Sequence, residues 1–258
     1  MKSIAIITGA SSGIGREFAM QLEKSGYDEI WLVARRLPKL KQTASALTHT
    51  KGVTIKADLG KQEDIARLIS RVRNSKANVA LLINNAGYGK FGSFQKMDKN
   101  LQTGMVDLNT RSLTELSYEI LPFMSRGSAI IQVASLLAYI PFPYFSVYAA
   151  TKAFVLHFSL SLAAEVEHLG IQVMALCPGP VATEFALVAS GKDTKIPGEW
   201  PVDKTVSKAI KHLRKGRWIS IPRFLWRIMA FSRHFMSKKR TSKMLGKRVP
   251  KMYNSPDL

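Results

Sequence analysis

Seven short apolar runs, separated by longer amphipathic ones, constrain this chain more than any other feature. The runs are IAIIT (4–8), EIWLVA (29–34), VTIKA (53–57), VALLI (79–83), AIIQVA (129–134), IQVMALC (171–177) and WISI (218–221). Their length and β-branching select strand over buried helix. Helix-period patterns fill 14–25, 37–47, 61–73, 98–122, 146–168 and 203–214. Strand and helix in alternation predict a parallel sheet covered on both faces, a doubly wound α/β fold. Strands buried on both faces explain why the runs are apolar throughout rather than alternating. The 258 residues suit one large domain of this kind, and 46% hydrophobic residues are ample for its core.

The first strand runs directly into TGASSGIG (8–15). Glycine permits a tight turn and close approach of a ligand to bare backbone. The helix that follows offers free N–H groups to a pyrophosphate. The spacing here is GxxxGxG rather than the GxGxxG dinucleotide fingerprint, so an ordinary βα turn stays open as an alternative. At the end of the second strand, WLVARRLPK has no acid to hold a ribose 2′-hydroxyl. It has Arg35 and Arg36, whose planar forks suit a 2′-phosphate. NADP(H) is therefore favoured, against the alternative that both arginines are solvated residues at a helix start.

In YAATK (148–152), Tyr148 and Lys152 stand at i and i+4, on one helix face. A cation held beside a phenol favours the phenolate and lowers its pKa. Taken alone the pair decides nothing, and a surface contact, or a tyrosine packed on a lysine stem, is the stronger reading.

Cys177 is the single cysteine, which excludes an internal disulfide framework and points to a reducing, cytoplasmic compartment. It follows the apolar run VMAL, so a buried structural thiol is expected. The five histidines show no metal-ligand spacing, and no metal site is expected. The N-terminus lacks the apolar span of a secretory signal, and no run of residues reads as a membrane span. The formal charge is +20, unevenly placed. Residues 202–258 hold 16 Lys and Arg against Asp203 and Asp257, so 14 of the 20 net charges lie there. Such a tail invites anionic partners.

Six motifs now stand in order: TGASSGIG (8–15), NNAG (84–87), Asn109 in DLNT, Ser135 in QVAS, YAATK (148–152) and PGPVAT (178–183). Together they resemble the short-chain dehydrogenase/reductase family over roughly residues 1–185. The resemblance implies a Rossmann-like catalytic domain and a catalytic set of Asn109, Ser135, Tyr148 and Lys152. Ser135 would bond the substrate oxygen and Tyr148 would exchange its proton. Lys152 would bond the nicotinamide ribose and lower the phenol's pKa, and Asn109 would hold a water linking Lys152 to solvent. Cofactor contacts implied in the same way are Gly9, Ser11, Ser12, Gly13, Ile14 and Gly15 at the phosphate turn, and Arg35 at the 2′-phosphate. Asp58 and Leu59 would lie at the adenine, Asn85, Ala86 and Gly87 along the adenosine side, and Pro178, Gly179, Val181 and Thr183 near the nicotinamide. Asn84 is read as half structural. Ser12 stands where the family often has a basic residue, so NAD(H) use is left open beside NADP(H).

Ser135 is followed by LLAYIPFPYFSVY. Leu137, Tyr139, Ile140, Phe142 and Phe145 either line an apolar cleft or belong to the core. A stretch so poor in charge favours a lipophilic ketone or aldehyde. Residues 190–201 read as a loop, and a lid over about 184–201 closes a catalytic domain of residues 1–221. The extension 222–258 opens with a helix over 221–236. Phe224, Ile228, Phe231 and Phe235 form its apolar stripe, widened by Leu225, Met229 and Met236, with Arg223, Arg227 and His234 opposite. The stripe either packs on the domain or meets an anionic membrane through 222–248. The tail resembles that of a branch of the family related to hydroxysteroid and long-chain 3-ketoacyl reductases. The resemblance also implies a homodimer or homotetramer built on the Tyr148 helix. A non-catalytic NADP(H)-binding regulator or scaffold is the competing reading. Nucleic-acid binding is set aside, because the tail has no reading motif.

Overall fold

The computed structural model describes residues 1–191, 198–232 and 237–252, with side chains up to Val249. Part of the expected lid (192–197), two residues of the tail stripe, Phe235 and Met236, and His234 of the opposite face lie outside the described residues.

All seven expected strands form, as β1 (Ser3–Thr8), β2 (Glu29–Ala34), β3 (Lys51–Lys56), β4 (Asn78–Asn84), β5 (Ala129–Val133), β6 (Gln172–Leu176) and β7 (Ile219–Ser220). They make one parallel sheet in the order β3-β2-β1-β4-β5-β6-β7. Ten α-helices occur among the described residues. They are α1 (Gly13–Leu22), α2 (Leu37–Ser45), α3 (Gln62–Ser75), α4 (Lys99–Val106), α5 (Ser112–Ile120), α6 (Ser146–Val166), α7 (Phe185–Ser190), α8 (Val202–Leu213), α9 (Phe224–Ser232) and α10 (Lys238–Met252). One core lies between the sheet and α3, α5 and α6, with Ile65, Leu68, Leu116 and Val166. The other lies under α1, α2 and α8, with Phe18, Leu40 and Val206.

The sheet order reverses at β1 and β4. In open α/β sheets the ligand crevice lies outside the carboxyl ends of the strands at such a point. Here those ends carry the glycine turn after β1 and the Asn84–Gly87 segment after β4.

Two expectations need correction, and a third point left open is narrowed. The stretch 98–122 is not one helix. It is α4, a π-helical turn over Asp107–Arg111, α5 and a short 3₁₀ turn over Leu121–Phe123. A membrane-span length is reached after all, since Ser146–Leu169 has a mean hydropathy of 1.3. This segment carries α6, which packs against β5 and β6, so its apolar side chains serve the core. In α9 the expected stripe points away from the domain, with Phe224 71%, Leu225 50%, Ile228 50% and Phe231 67% exposed. Trp226 and Ala230 face inward instead, against Leu136, with Val181 and Trp200 beside them. The reason lies at Gly179, whose missing Cβ leaves room for the indole; a Cβ there would sit 2.5 Å from the ring.

Candidate active site

The glycine turn is built for close contact. Gly9 has φ +67°, a left-handed conformation that glycine adopts without steric penalty. Asn85 closes over it, Nδ2 donating to the carbonyls of Thr8 (2.9 Å) and Gly9 (3.4 Å). A Cβ at Gly15 would lie 2.5 Å from the same Nδ2. Thr8 Oγ1 accepts from the amides of Asn85 and Ala86, tying the ends of β1 and β4 together. α1 starts at Gly13 with Ser12 as its cap, but no side chain caps the helix. Its first N–H groups therefore face the crevice without an internal acceptor from the cap, the state that suits a diphosphate.

The arginines after β2 divide. Arg35 is exposed and near enough to Tyr88 to pull against the burial that raises that phenol's pKa. Arg36 turns back onto the glycine turn. It donates to Ser11 Oγ (3.1 and 3.3 Å), Ser12 Oγ (2.7 Å) and Glu184 Oε2 (2.8 Å). Lys39 holds the other oxygen of Glu184 at 2.5 Å. Two cations thus meet an anion at the mouth of the turn, where the sequence reading had singled out Arg35. The pair pulls Glu184 down to about 2, Lys39 contributing most. Glycines that leave no room for a Cβ, an uncapped helix start and a carboxylate standing on two cations together fit the phosphates of a dinucleotide.

Asp58 accepts from Gly60 N (3.1 Å), and its own amide donates to Asp64 Oδ2 (2.6 Å). Its neighbour Leu59 is buried in the core. Asn84 is buried and donates to Ser117 Oγ (3.1 Å), which ties the sheet to α5. Thr183 covers Gly13, and Pro178 accepts from Leu136 N (2.7 Å). Gly179 and Val181 lie against Trp226. Ile14 packs at the margin of the core under α1.

The four expected catalytic residues come together at the carboxyl end of β5. Ser135 follows that strand, accepts from Leu137 N (3.2 Å) and stands close enough to Tyr148 to favour its ionised form. Lys152, one turn along α6 from Tyr148, is buried and donates to the carbonyl of Val133 at 2.6 Å. Its Nζ lies 5.7 Å from the centre of the Tyr148 ring. Asn109 sits in the π-helical turn, a feature frequent at functional sites. Its Nδ2 donates to Tyr88 O (2.9 Å) and Thr151 Oγ1 (3.1 Å), and its Oδ1 accepts from Tyr88 N (3.1 Å). The Asn109 and Lys152 heads both come close to the bare backbone of Gly87. A Cβ there would lie 2.8 Å from Asn109 Oδ1 and 3.6 Å from Lys152 Nζ.

The electrostatics differ from the expectation for Tyr148. Burial raises its pKa, and the nearby Ser135 only partly offsets that. The i, i+4 lysine does not hold the phenol down, because its ammonium turns to Val133. Burial also pulls Lys152 down to about 8. Cys177 lies fully buried below, pushed up to about 12 by desolvation that the nearby Tyr139 only partly offsets, as befits an inert thiol.

Around the phenol stands an aromatic wall. Phe145 stacks on Phe91 (3.9 Å between centroids) and on Tyr148 (4.3 Å). Phe185 of α7 approaches Tyr148 at 5.4 Å. Leu137 and Phe142 join this cluster, whereas Ile140 is buried and Tyr139 packs with the cluster under Cys177. Sequence reading missed Phe91 and Phe185, which come from segments remote from YAATK. Tyr144, just before, holds a left-handed φ of 61°, strain of the kind that gathers near functional sites. Among the described residues no group of three metal-ligating side chains comes together.

Known proteins resemble this chain. The family model described as short chain dehydrogenase matches residues 3–192. Sulfoacetaldehyde reductase 2 of Chromohalobacter salexigens is 31% identical over 198 residues, 75% of this chain and 78% of that protein. The very-long-chain 3-oxoacyl-CoA reductase of Anas platyrhynchos is 33% identical over 195 residues, 72% of this chain and 62% of that protein. A short-chain dehydrogenase from Sphingobium yanoikuyae in complex with NADPH superposes with a TM-score of 0.80 at 30% identity, over 91% of this chain and 94% of that one. The glycine turn, the serine–tyrosine–lysine cluster and these likenesses converge: the chain belongs to the short-chain dehydrogenase family.

Proposed function

We propose that this enzyme uses NADPH to reduce a ketone or aldehyde on a lipophilic substrate, and runs the reverse oxidation when the ratios favour it. The observation that carries the reading is the convergence of Ser135, Tyr148 and Lys152 at the end of β5, set within an aromatic wall beside the glycine turn. The hydride would come from the dihydronicotinamide of NADPH. Negative charge then grows on the carbonyl oxygen, and two hydroxyl donors meet it. Ser135 donates a hydrogen bond, and Tyr148 gives up its proton to the oxygen. Buried phenols resist ionisation, so Tyr148 stands protonated and ready to give a proton at neutral pH. Lys152 lies behind it with Asn109 across Gly87; Lys152 would return a proton to the phenolate, and Asn109 would hold the water that links Lys152 to solvent. Arg36, Lys39, Ser11 and Ser12 gather where a 2′-phosphate would need donors, which supports NADP(H), and NAD(H) remains the alternative.

Phe91, Phe142, Phe145 and Phe185 offer a substrate few charges and much apolar surface. A long-chain 3-oxoacyl thioester or steroid-like ketone suits that wall better than a small anion such as sulfoacetaldehyde. The test is NADPH oxidation followed at the nicotinamide band with both classes of substrate. Turnover of apolar ketones, lost in Tyr148→Phe while NADPH still binds, supports the proposal. Turnover confined to short polar aldehydes sinks the lipophilic part. Cofactor binding without turnover on any substrate returns weight to the regulator reading.

The extension adds a second reading, of place rather than chemistry. Phe224, Leu225 and Ile228 present apolar surface outward. On α10, Lys238, Lys239, Arg240, Lys243, Lys247 and Arg248 are exposed while Thr241 and Val249 are buried. Apolar side chains beside a cationic helix match the interface of an anionic bilayer. This favours a cytoplasmic enzyme with residues 222–248 resting on a membrane, appended to a catalytic unit of residues 1–221. Co-sedimentation with phosphatidylserine vesicles, lost on deleting 222–258, supports it; binding unchanged by that deletion overturns it. Another face of the molecule fits a second copy of the chain. Tyr118 of α5 and Phe154 of α6 stand exposed around a shallow depression with Thr110 and Thr114. A homodimer or homotetramer through this face predicts that Tyr118→Glu yields monomers on size-exclusion chromatography.

A further inference from the structure

Glu184 occupies an unusual position. It immediately precedes α7, whose Phe185 closes on Tyr148, and it follows Thr183, which covers Gly13. Its carboxylate spans Arg36 (2.8 Å) and Lys39 (2.5 Å). Arg36 in turn bonds Ser11 and Ser12 of the glycine turn. That turn is tied to the end of β2 by the Gly9 amide, which donates to Val33 O at 2.8 Å. So the start of the lid is fastened to the donors that stand where a dinucleotide's 2′-phosphate would lie.

We propose that Glu184 is an internal anion occupying the 2′-phosphate seat, and that a 2′-phosphate displaces it and frees the start of the lid. The proposal rests on the NADP(H) reading above. Two anions compete for one pair of cations. The carboxylate brings one charge, and a phosphate monoester brings about −2 with three acceptor oxygens. Both ion pairs of Glu184 are about half exposed, the class whose net worth is small. The ligand therefore wins the exchange, and a nucleotide without the 2′-phosphate does not. Glu184 thereby taxes every bound NADP(H) a little and couples its arrival to the segment that covers Tyr148. NAD(H) leaves the clasp shut.

The probes are adenosine 2′,5′-bisphosphate and 5′-AMP, titrated into the full chain by calorimetry, with hydrogen exchange read across 185–190. In the wild type the bisphosphate should speed exchange there, and 5′-AMP should not. Glu184→Gln should exchange fast without ligand. It should bind the bisphosphate about two- to fivefold tighter, the span expected of an exposed ion pair, with 5′-AMP affinity unchanged. If the wild type prefers the bisphosphate and Glu184→Gln leaves that preference unaltered or weaker, the clasp is wrong while the NADP(H) reading stands. If the wild type shows no preference and Glu184→Gln acquires one, Glu184 holds the seat but no 2′-phosphate displaces it, and the proposal falls together with the NADP(H) reading. Slower exchange at 185–190 on binding the bisphosphate to wild type also overturns the proposal.

Discussion

The indole of Trp226 lies against the bare backbone of Gly179, within the space a Cβ would occupy. This contact seats α9 on the PGPVAT segment and decides which face of the helix is hidden.

Gly179→Ala should therefore push α9 off the domain. Overpacking of this kind costs about 1–3 kcal/mol. In a chain of this size each kcal/mol moves the midpoint by roughly 2–4 °C. Differential scanning calorimetry reads the shift, and Trp226→Leu in the same background should recover part of it. An unchanged melting point in Gly179→Ala would show that the indole is not seated there.

Lys152 makes stability depend on alkaline pH. Burial lowers its pKa from 10.5 to about 8, so between those values the unfolded chain binds more protons than the folded one. Stability from this group then rises with pH across that window, because the cost of burying the ammonium is relieved. The full effect is roughly 3 kcal/mol at most. Lys152→Met should flatten the slope in urea titrations from pH 7.5 to 10, and should be more stable than wild type below pH 8. A parallel pair of curves would show that the ammonium carries no such cost. The same variant should lose turnover.

His212 predicts loosening in acid. Its Nδ1 meets Ser220 Oγ at 2.9 Å and its Nε2 meets Arg227 at 3.1 Å. Arg227 can only donate, so the ring accepts and is held neutral. Burial, aided by the surrounding cations, lowers its pKa from 6.5 to about 4. The unfolded chain binds the extra proton first, so stability falls as pH drops from 6.5 towards 4. His212→Gln should lose that slope. Since the histidine joins α8 and β7 to α9, exchange in 224–232 should quicken first in the wild type.

Ser135→Ala should remove one donor from the reacting oxygen and lower kcat by about 10²–10³. It should also raise the Tyr148 pKa further, since the hydroxyl that opposes burial is gone. The alkaline limb of the oxidation profile should move up with it. A reduced kcat with an unmoved limb would place Ser135 on the substrate alone.

The sheet was legible because seven apolar runs leave little choice of partner, and even β7, two residues long, carries its mark in WISI. The glycine turn and YAATK could be read because their chemistry needs residues close in sequence. What stayed hidden depends on contacts across the chain. A π-helical turn at Asp107–Arg111 shifts the hydrogen bonds by one residue and leaves no periodic trace. The choice of Arg36 over Arg35 at the serines is a matter of side-chain direction after β2. The stripe of α9 was visible as a stripe, but a gap at Gly179, 47 residues before Trp226, turned it outward. Proximity of Tyr148 and Lys152 was inferred correctly along the helix, yet burial outweighed charge once the ammonium bonded Val133.

The outward phenylalanine and leucine of α9, next to the lysines of α10, govern how the protein handles at the bench. Ammonium sulfate strengthens apolar association while it screens ionic attraction. One end of the molecule will thus cling to phenyl resin in strong brine and to a sulfonate exchanger in dilute buffer. Purification in the intermediate range, where neither grip dominates, will keep it dispersed.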